Sequence, residues 1–207
     1  MRQISKATAV AAAAFAAVVG FGTTQASAAT TWTVSGGGSF TASASSPTLT
    51  DTTTSAALDC SSSAASGTAA NGTGLSGTGI ATISAVSWTS CTGPLGSAFT
   101  VTPKNLPWTL NAATYNSTTG TTTGTLTGVE ASISGTLCSA SFAGTTSTTP
   151  ATLTGTYVNS THTLTISGGN LHAYSVSGCL GLINNGDAAT YNAAYVVSPS
   201  TLKITSP

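Results

Sequence analysis

The stretch Gly79-Ile80-Ala81-Thr82-Ile83-Ser84-Ala85-Val86-Ser87-Trp88 decides the fold class. Apolar and hydroxylic residues alternate along it with period two almost throughout. That is the pattern of a strand with one face against a core and one face in water. Ala98-Phe99-Thr100-Val101-Thr102 and Thr161-His162-Thr163-Leu164-Thr165-Ile166-Ser167 repeat it. Threonine is β-branched and suits the wet face of a sheet, so its abundance is itself a strand signal. Val158-Asn159-Ser160 and Asn184-Asn185-Gly186-Asp187 punctuate the strands with turn residues. No stretch beyond the N-terminal segment carries a 3.6-residue period of helix length. Without helical crossovers parallel pairing is not available. The expectation is an all-β, antiparallel sandwich or closed barrel.

Composition supports that reading and closes off several functions. Ser and Thr account for 73 of 207 residues, whereas Lys+Arg number four, Asp+Glu four and His two. A chain so poor in charge has no basic stripe to neutralise phosphates, which argues against nucleic-acid binding. The N-terminus reads as a helical signal peptide over residues 1–28. Arg2 and Lys6 precede an uncharged run from Ala7 to Phe21, and Ala26-Ser27-Ala28 is a small-x-small cleavage pattern. The run is shorter than the roughly 20 residues of a membrane span, and no later one approaches that length. The mature chain is therefore expected to be secreted and extracellular, without a membrane span.

The rest of the chain, 29–207, reads as one β domain built from two repeats, about 29–106 and 107–207. Trp32-Thr33-Val34 lies before Cys60-Ser61-Ser62-Ser63 much as Trp108-Thr109-Leu110 lies before Cys138-Ser139-Ala140-Ser141. Ser90-Cys91-Thr92-Gly93 matches Gly178-Cys179-Leu180-Gly181 in the same order. A third match sets Pro103-x-x-Leu106-x-Trp108-Thr109 against Pro199-x-x-Leu202-x-Ile204-Thr205. It suggests two interlocked halves about a pseudo-two-fold axis, with Trp32 and Trp108 in equivalent places and Ile204 standing where the Trp108 strand stands. Four cysteines in an exported chain predict two disulfides, and three connectivities exist. The repeat selects Cys60–Cys91 and Cys138–Cys179, one per half.

Chemistry has little to draw on. His162 and His172 are the only imidazoles, and no G-x-S-x-G elbow accompanies them. No pair among Asp51, Asp59, Glu130 and Asp187 is marked by context as an acid–base couple. No cofactor and no metal site are indicated, and the chain is not expected to be an enzyme. Trp32, Trp88 and Trp108, with His162 and His172, are the candidate binding residues. The tryptophans double as core anchors, since large aromatics dominate small cores.

The segments Cys91-Thr92-Gly93-Pro94-Leu95-Gly96, Leu106-Pro107-Trp108-Thr109-Leu110-Asn111 and Gly178-Cys179-Leu180-Gly181-Leu182-Ile183-Asn184-Asn185-Gly186-Asp187-Ala188-Ala189-Thr190-Tyr191 resemble a group of small Thr/Ser/Gly-rich secreted proteins of actinobacteria. That resemblance implies location and fold style, and it carries over no catalytic residue. The functional expectation is a secreted, non-enzymatic β domain that binds an extracellular protein or glycan or associates with a surface. An inhibitor of a secreted hydrolase, presenting the loop Cys91–Gly96 or Gly181–Asp187, is the alternative. A hydrolase with an unrecognised site is the second alternative.

Overall fold

The computed structural model describes residues 31–207. The signal peptide expected over 1–28 lies outside the described residues. Fifteen strands follow in chain order: β1 (Trp32–Ser35), β2 (Gly38–Ser45), β3 (Thr48–Asp51), β4 (Ala57–Ala69), β5 (Gly72–Leu75), β6 (Ala81–Thr92), β7 (Ala98–Lys104), β8 (Trp108–Asn116), β9 (Thr121–Gly135), β10 (Cys138–Ala143), β11 (Ala151–Val158), β12 (Thr163–Ser167), β13 (Leu171–Gly178), β14 (Ala188–Ser198) and β15 (Lys203–Thr205). Every described pairing is antiparallel. The only helical pieces in the described chain are 3-10 turns at Pro94–Gly96 and Cys179–Gly181.

Four long strands, β4, β6, β9 and β14, organise the molecule. Their upper portions join β2, β8, β11 and β12 in a circuit that returns to its start, β2–β4–β6–β8–β9–β11–β12–β14–β2. Their lower portions join β3, β7, β10 and β13 in a second circuit, β3–β4–β6–β7–β9–β10–β13–β14–β3. Closure removes exposed sheet edges. It is uneven here, because β6 meets β8 through three residue pairs and β13 meets β14 through two.

The alternation seen in the sequence becomes the burial pattern. In β2, Phe40, Ala42 and Ala44 point inward, and Ser39, Thr41, Ser43 and Ser45 face water. Buried residues from both circuits, among them Ile83, Trp108, Leu126, Ile133, Phe142, Leu153 and Ile166, form one apolar cluster. Each such large side chain taken from water contributes about 1.5–3 kcal/mol. Gly67 sits at the register shift between β4 and β6. A Cβ there would lie 1.9 Å from the Thr82 carbonyl oxygen, so only glycine fits.

The predicted disulfides are both present. Cys60 and Cys91 are register partners on β4 and β6, and Cys138 of β10 bonds Cys179 just beyond β13. Strands from before and after residue 106 pair throughout: β1 with β15, β2 and β3 with β14, β6 with β8, and β7 with β9.

The expected equivalence of Trp32 and Trp108 does not extend to strand pairing. β8 joins the large sheet between β6 and β9, whereas β1 belongs to a separate three-stranded sheet, β15–β1–β5. Ile204 likewise pairs with Val34 and does not take the place of the Trp108 strand. The physical reason lies in the chain ends. β1 and β15 have no place in either circuit, and pairing with each other satisfies their backbone groups. Asn159 locks this arrangement, donating through Nδ2 to the Ile204 carbonyl (2.8 Å) and accepting from its N–H (2.9 Å).

Candidate functional site

The five aromatic and imidazole candidates fall in different places. Trp32 and Trp108 are core residues, 2% and 4% exposed, and Trp108 donates through Nε1 to the Lys104 carbonyl. His162 lies in the turn between β11 and β12, with its carbonyl accepting from Val197. His172 lies in β13 opposite Ala188, with Nδ1 beside the Asn170 carbonyl. Val197 and Ala188 are nine positions apart on β14, roughly 30 Å at ~3.3 Å per residue. The histidines therefore do not meet, and a metal shared by the two is ruled out by register. Among the described residues no three His, Cys, Asp or Glu side chains gather as a metal-binding group would require.

Trp88 is different. It is half-buried on β6 and packs edge-on against Tyr191 of β14, with ring centroids 6.3 Å apart. Its Nε1 donates to the Tyr191 hydroxyl at 2.9 Å. Tyr191 and Tyr195 hydroxyls are 2.8 Å apart, Tyr195 and Ser63 are 2.8 Å apart, and Ser63 donates to the Ser87 carbonyl at 2.9 Å. The two ends fix the direction. An indole N–H only donates and a carbonyl only accepts, so each hydroxyl between them donates onward toward Ser87. Burial pushes both phenols above the usual tyrosine range, holding them neutral. Sequence reading singled out Trp88 but not Tyr191, Tyr195 or Ser63. The four-residue spacing of the tyrosines, which puts both on one face of a strand, was the available signal.

A second cluster lies at the end of the molecule that carries both disulfides. Leu137, in the connection between β9 and β10, is 72% exposed, and Leu180, in the 3-10 turn after β13, is 77% exposed. Leu182 follows at 36%. Their backbones adjoin: Cys179 N–H donates to the Leu137 carbonyl at 3.0 Å, and the Cys138–Cys179 bridge ties the two connections together. Leu180 is held at φ 51°, a left-handed conformation that a leucine adopts only where its surroundings impose it. Behind this tip the β3–β4 turn packs against residues 182–188, with Thr54 donating to the Leu182 carbonyl and Thr52 to that of Ala188. Asp51 accepts from the N–H groups of Thr53 and Thr54. The Asn184 amide beside Asp187 holds that carboxyl below its usual range, even against the opposing cost of desolvation. Of the two loops offered as docking loops from sequence, the one beginning at Gly181 borders this apolar tip.

Fold and site together define a disulfide-stapled all-β domain with an aromatic–hydroxyl relay inside and a leucine-bearing tip outside. The family profile described as "Alkane oxidation protein activator PraA/PraB-like" matches residues 1–201, and the chain belongs to that family. No curated protein and no solved structure matches it. The match bears on the family alone, and the resemblance to actinobacterial secreted proteins receives nothing from it. Among the described residues no helix is long and apolar enough to cross a membrane, and the two disulfides suit an oxidising compartment.

Proposed function

We propose that the protein is a secreted, non-enzymatic accessory of alkane oxidation that acts on the hydrocarbon, presenting it at the water boundary while another protein oxidises it. One observation carries this reading: three exposed leucines on a stapled tip of a molecule whose remaining surface is largely Ser and Thr. Each leucine side chain that leaves water for hydrocarbon gains up to about 2 kcal/mol. A tip held by a disulfide loses little entropy when it docks. The hydroxyl-rich, weakly charged flanks stay hydrated, so one end of the molecule enters the hydrocarbon and the rest remains outside. The family's description as an activator of alkane oxidation agrees with such a role.

The test is adsorption of the oxidised protein to n-dodecane droplets in water, followed by pendant-drop interfacial tension. The variant is the triple substitution Leu137→Ser, Leu180→Ser and Leu182→Ser, which changes only exposed positions and should leave the melting temperature in place. Adsorption should fall at least tenfold at low protein concentration. Unchanged adsorption by a folded triple variant would remove the reading.

A further inference from the structure

β6 is paired with β4 along one edge, from Ala81 to Thr92. Along the other it is paired only at its ends, Ala81–Ile83 with β8 and Cys91–Thr92 with β7. Ser84–Ser90 have no strand partner on that edge among the described residues. The uneven closure of the circuits is therefore an opening in the wall. The side chains turned inward beside it are apolar: Val86 and Trp88 of β6, Val101 of β7 and Trp108 at the head of β8. All four line an interior cavity of about 80 Å³. A second cavity of about 60 Å³ lies in the upper circuit, and the two share Phe40, Leu126, Leu164 and Ile166 as a common wall.

Among the described residues no charged side chain lines either cavity. In the larger one the polar hydrogens are already committed. Trp88 donates to Tyr191, the tyrosine hydroxyls donate onward to Ser63, and Trp108 donates to Lys104. A carboxylate entering this space would find neither a cation nor a free donor, and its desolvation would go uncompensated. Water gains little there, because apolar cavities of this kind stay dry and take up apolar guests. A cavity of roughly 150 Å³ is known to hold benzene. Each lobe alone is smaller than that, and Phe40, Leu126, Leu164 and Ile166 stand between the two. A guest that fills both lobes must displace these side chains, which a thin, flexible chain does least and a ring most.

We propose that the opening between β6 and β7–β8 and the two-lobed chamber behind it bind single linear alkane chains. The proposal rests on the hydrocarbon-handling reading above and adds a molecular site that the tip does not provide. Trp88 sits at the mouth and acts as a positioning residue, held by Tyr191 at the boundary between water and chamber.

The experiment equilibrates the mature, oxidised protein with n-hexane vapour. Uptake is measured by headspace gas chromatography, and the methyl resonances of Leu126, Leu164 and Ile166 are followed by NMR. Saturable uptake with shifts confined to chamber methyls is expected. Cyclohexane should bind at least tenfold more weakly, and hexanoate should not shift these methyls. Ala65→Leu and Ala131→Leu, which fill the larger lobe, should each lower hexane uptake at least tenfold. The triple leucine variant of the tip should take up hexane as the parent does. Absence of saturable uptake by the parent protein would overturn the proposal, as would hexane uptake unaffected by both filling substitutions or equal binding of cyclohexane. If a filling variant fails to fold, the parent's methyl shifts and the cyclohexane comparison decide. Normal hexane uptake beside droplet adsorption indifferent to the tip would leave the chamber standing and remove the tip, so the two readings fail separately.

Discussion

Tyr191→Phe, Tyr195→Phe and the double variant test the direction of the internal relay. The chain of donors runs from Trp88 Nε1 through Tyr191, Tyr195 and Ser63 to the Ser87 carbonyl. Removing the Tyr191 hydroxyl strands one donor, the Trp88 N–H, while Tyr195 still donates to Ser63. Removing the Tyr195 hydroxyl also strands one donor, the Tyr191 O–H. A buried donor left without an acceptor costs about 1–3 kcal/mol. For a domain of this size each kilocalorie lowers the melting temperature by roughly 2–4 °C, so each single variant should lose about 2–12 °C. The double variant strands only the Trp88 N–H. It should therefore cost about as much as one single variant, giving a coupling of about 1–3 kcal/mol in the cycle. Thermal unfolding by near-UV circular dichroism and denaturant titration supply the four stabilities. Additive losses would refute the ordered relay, and so would a Tyr195→Phe variant as stable as the parent.

Alkaline pH gives the second expectation. Burial pushes the Tyr157 phenol up to about 12, and Tyr191 and Tyr195 are raised for the same first reason. An unfolded tyrosine ionises near pH 10. The unfolded state thus loses protons that the fold retains, and stability falls as pH rises above about 10 toward the folded values while being fully present below. Tyrosinate absorbance of the parent minus that of Tyr157→Phe should appear together with loss of near-UV dichroism; titration near pH 10 with the fold intact would contradict the sign. Third, residues 29–106 and 107–207 expressed separately and oxidised should not melt cooperatively, because β2, β3, β6, β7 and β1 would each lose a partner from the other half. Two soluble monomeric fragments with cooperative transitions would make the halves independent domains.

What the sequence disclosed was local, and what it concealed was the choice of partners across the barrel. The alternating stretch Gly79–Trp88 runs into β6, its period slipping at Ser84-Ala85 where β4 and β6 shift register, and the matched cysteines correspond to the two bridges, because Cys60 and Cys91 are neighbours in one ladder. Strand pairing between β14 and β2, or β1 and β15, joins residues more than 150 positions apart and leaves no periodic trace. Ser63 could not be told from 29 other serines until the fold set it beside Tyr195. Leu180 and Leu182 stood out only as two apolar residues after a cysteine. Their exposure depends on how the Cys138–Cys179 bridge orients the turn.

The shortage of bulky apolar residues has a consequence that the sequence alone implied but did not locate. Aromatics are 6% of the chain, and alanine and serine supply many strand positions. Such a composition closes two strand circuits without filling the space they enclose, since small side chains set strands at ordinary spacing but bring little volume inward. The deficit is not spread evenly. It collects where Ala42, Ala65 and Ala131 line the cavity behind the open edge of β6, and it leaves the larger chamber lined mainly by carbon. A core rich in leucine and phenylalanine would have sealed that space, and one rich in polar residues would have filled it with water. Few charges, many hydroxyls outside and small residues inside therefore describe one physical object: a rigid, hydrated shell around an apolar void, with leucines at one end.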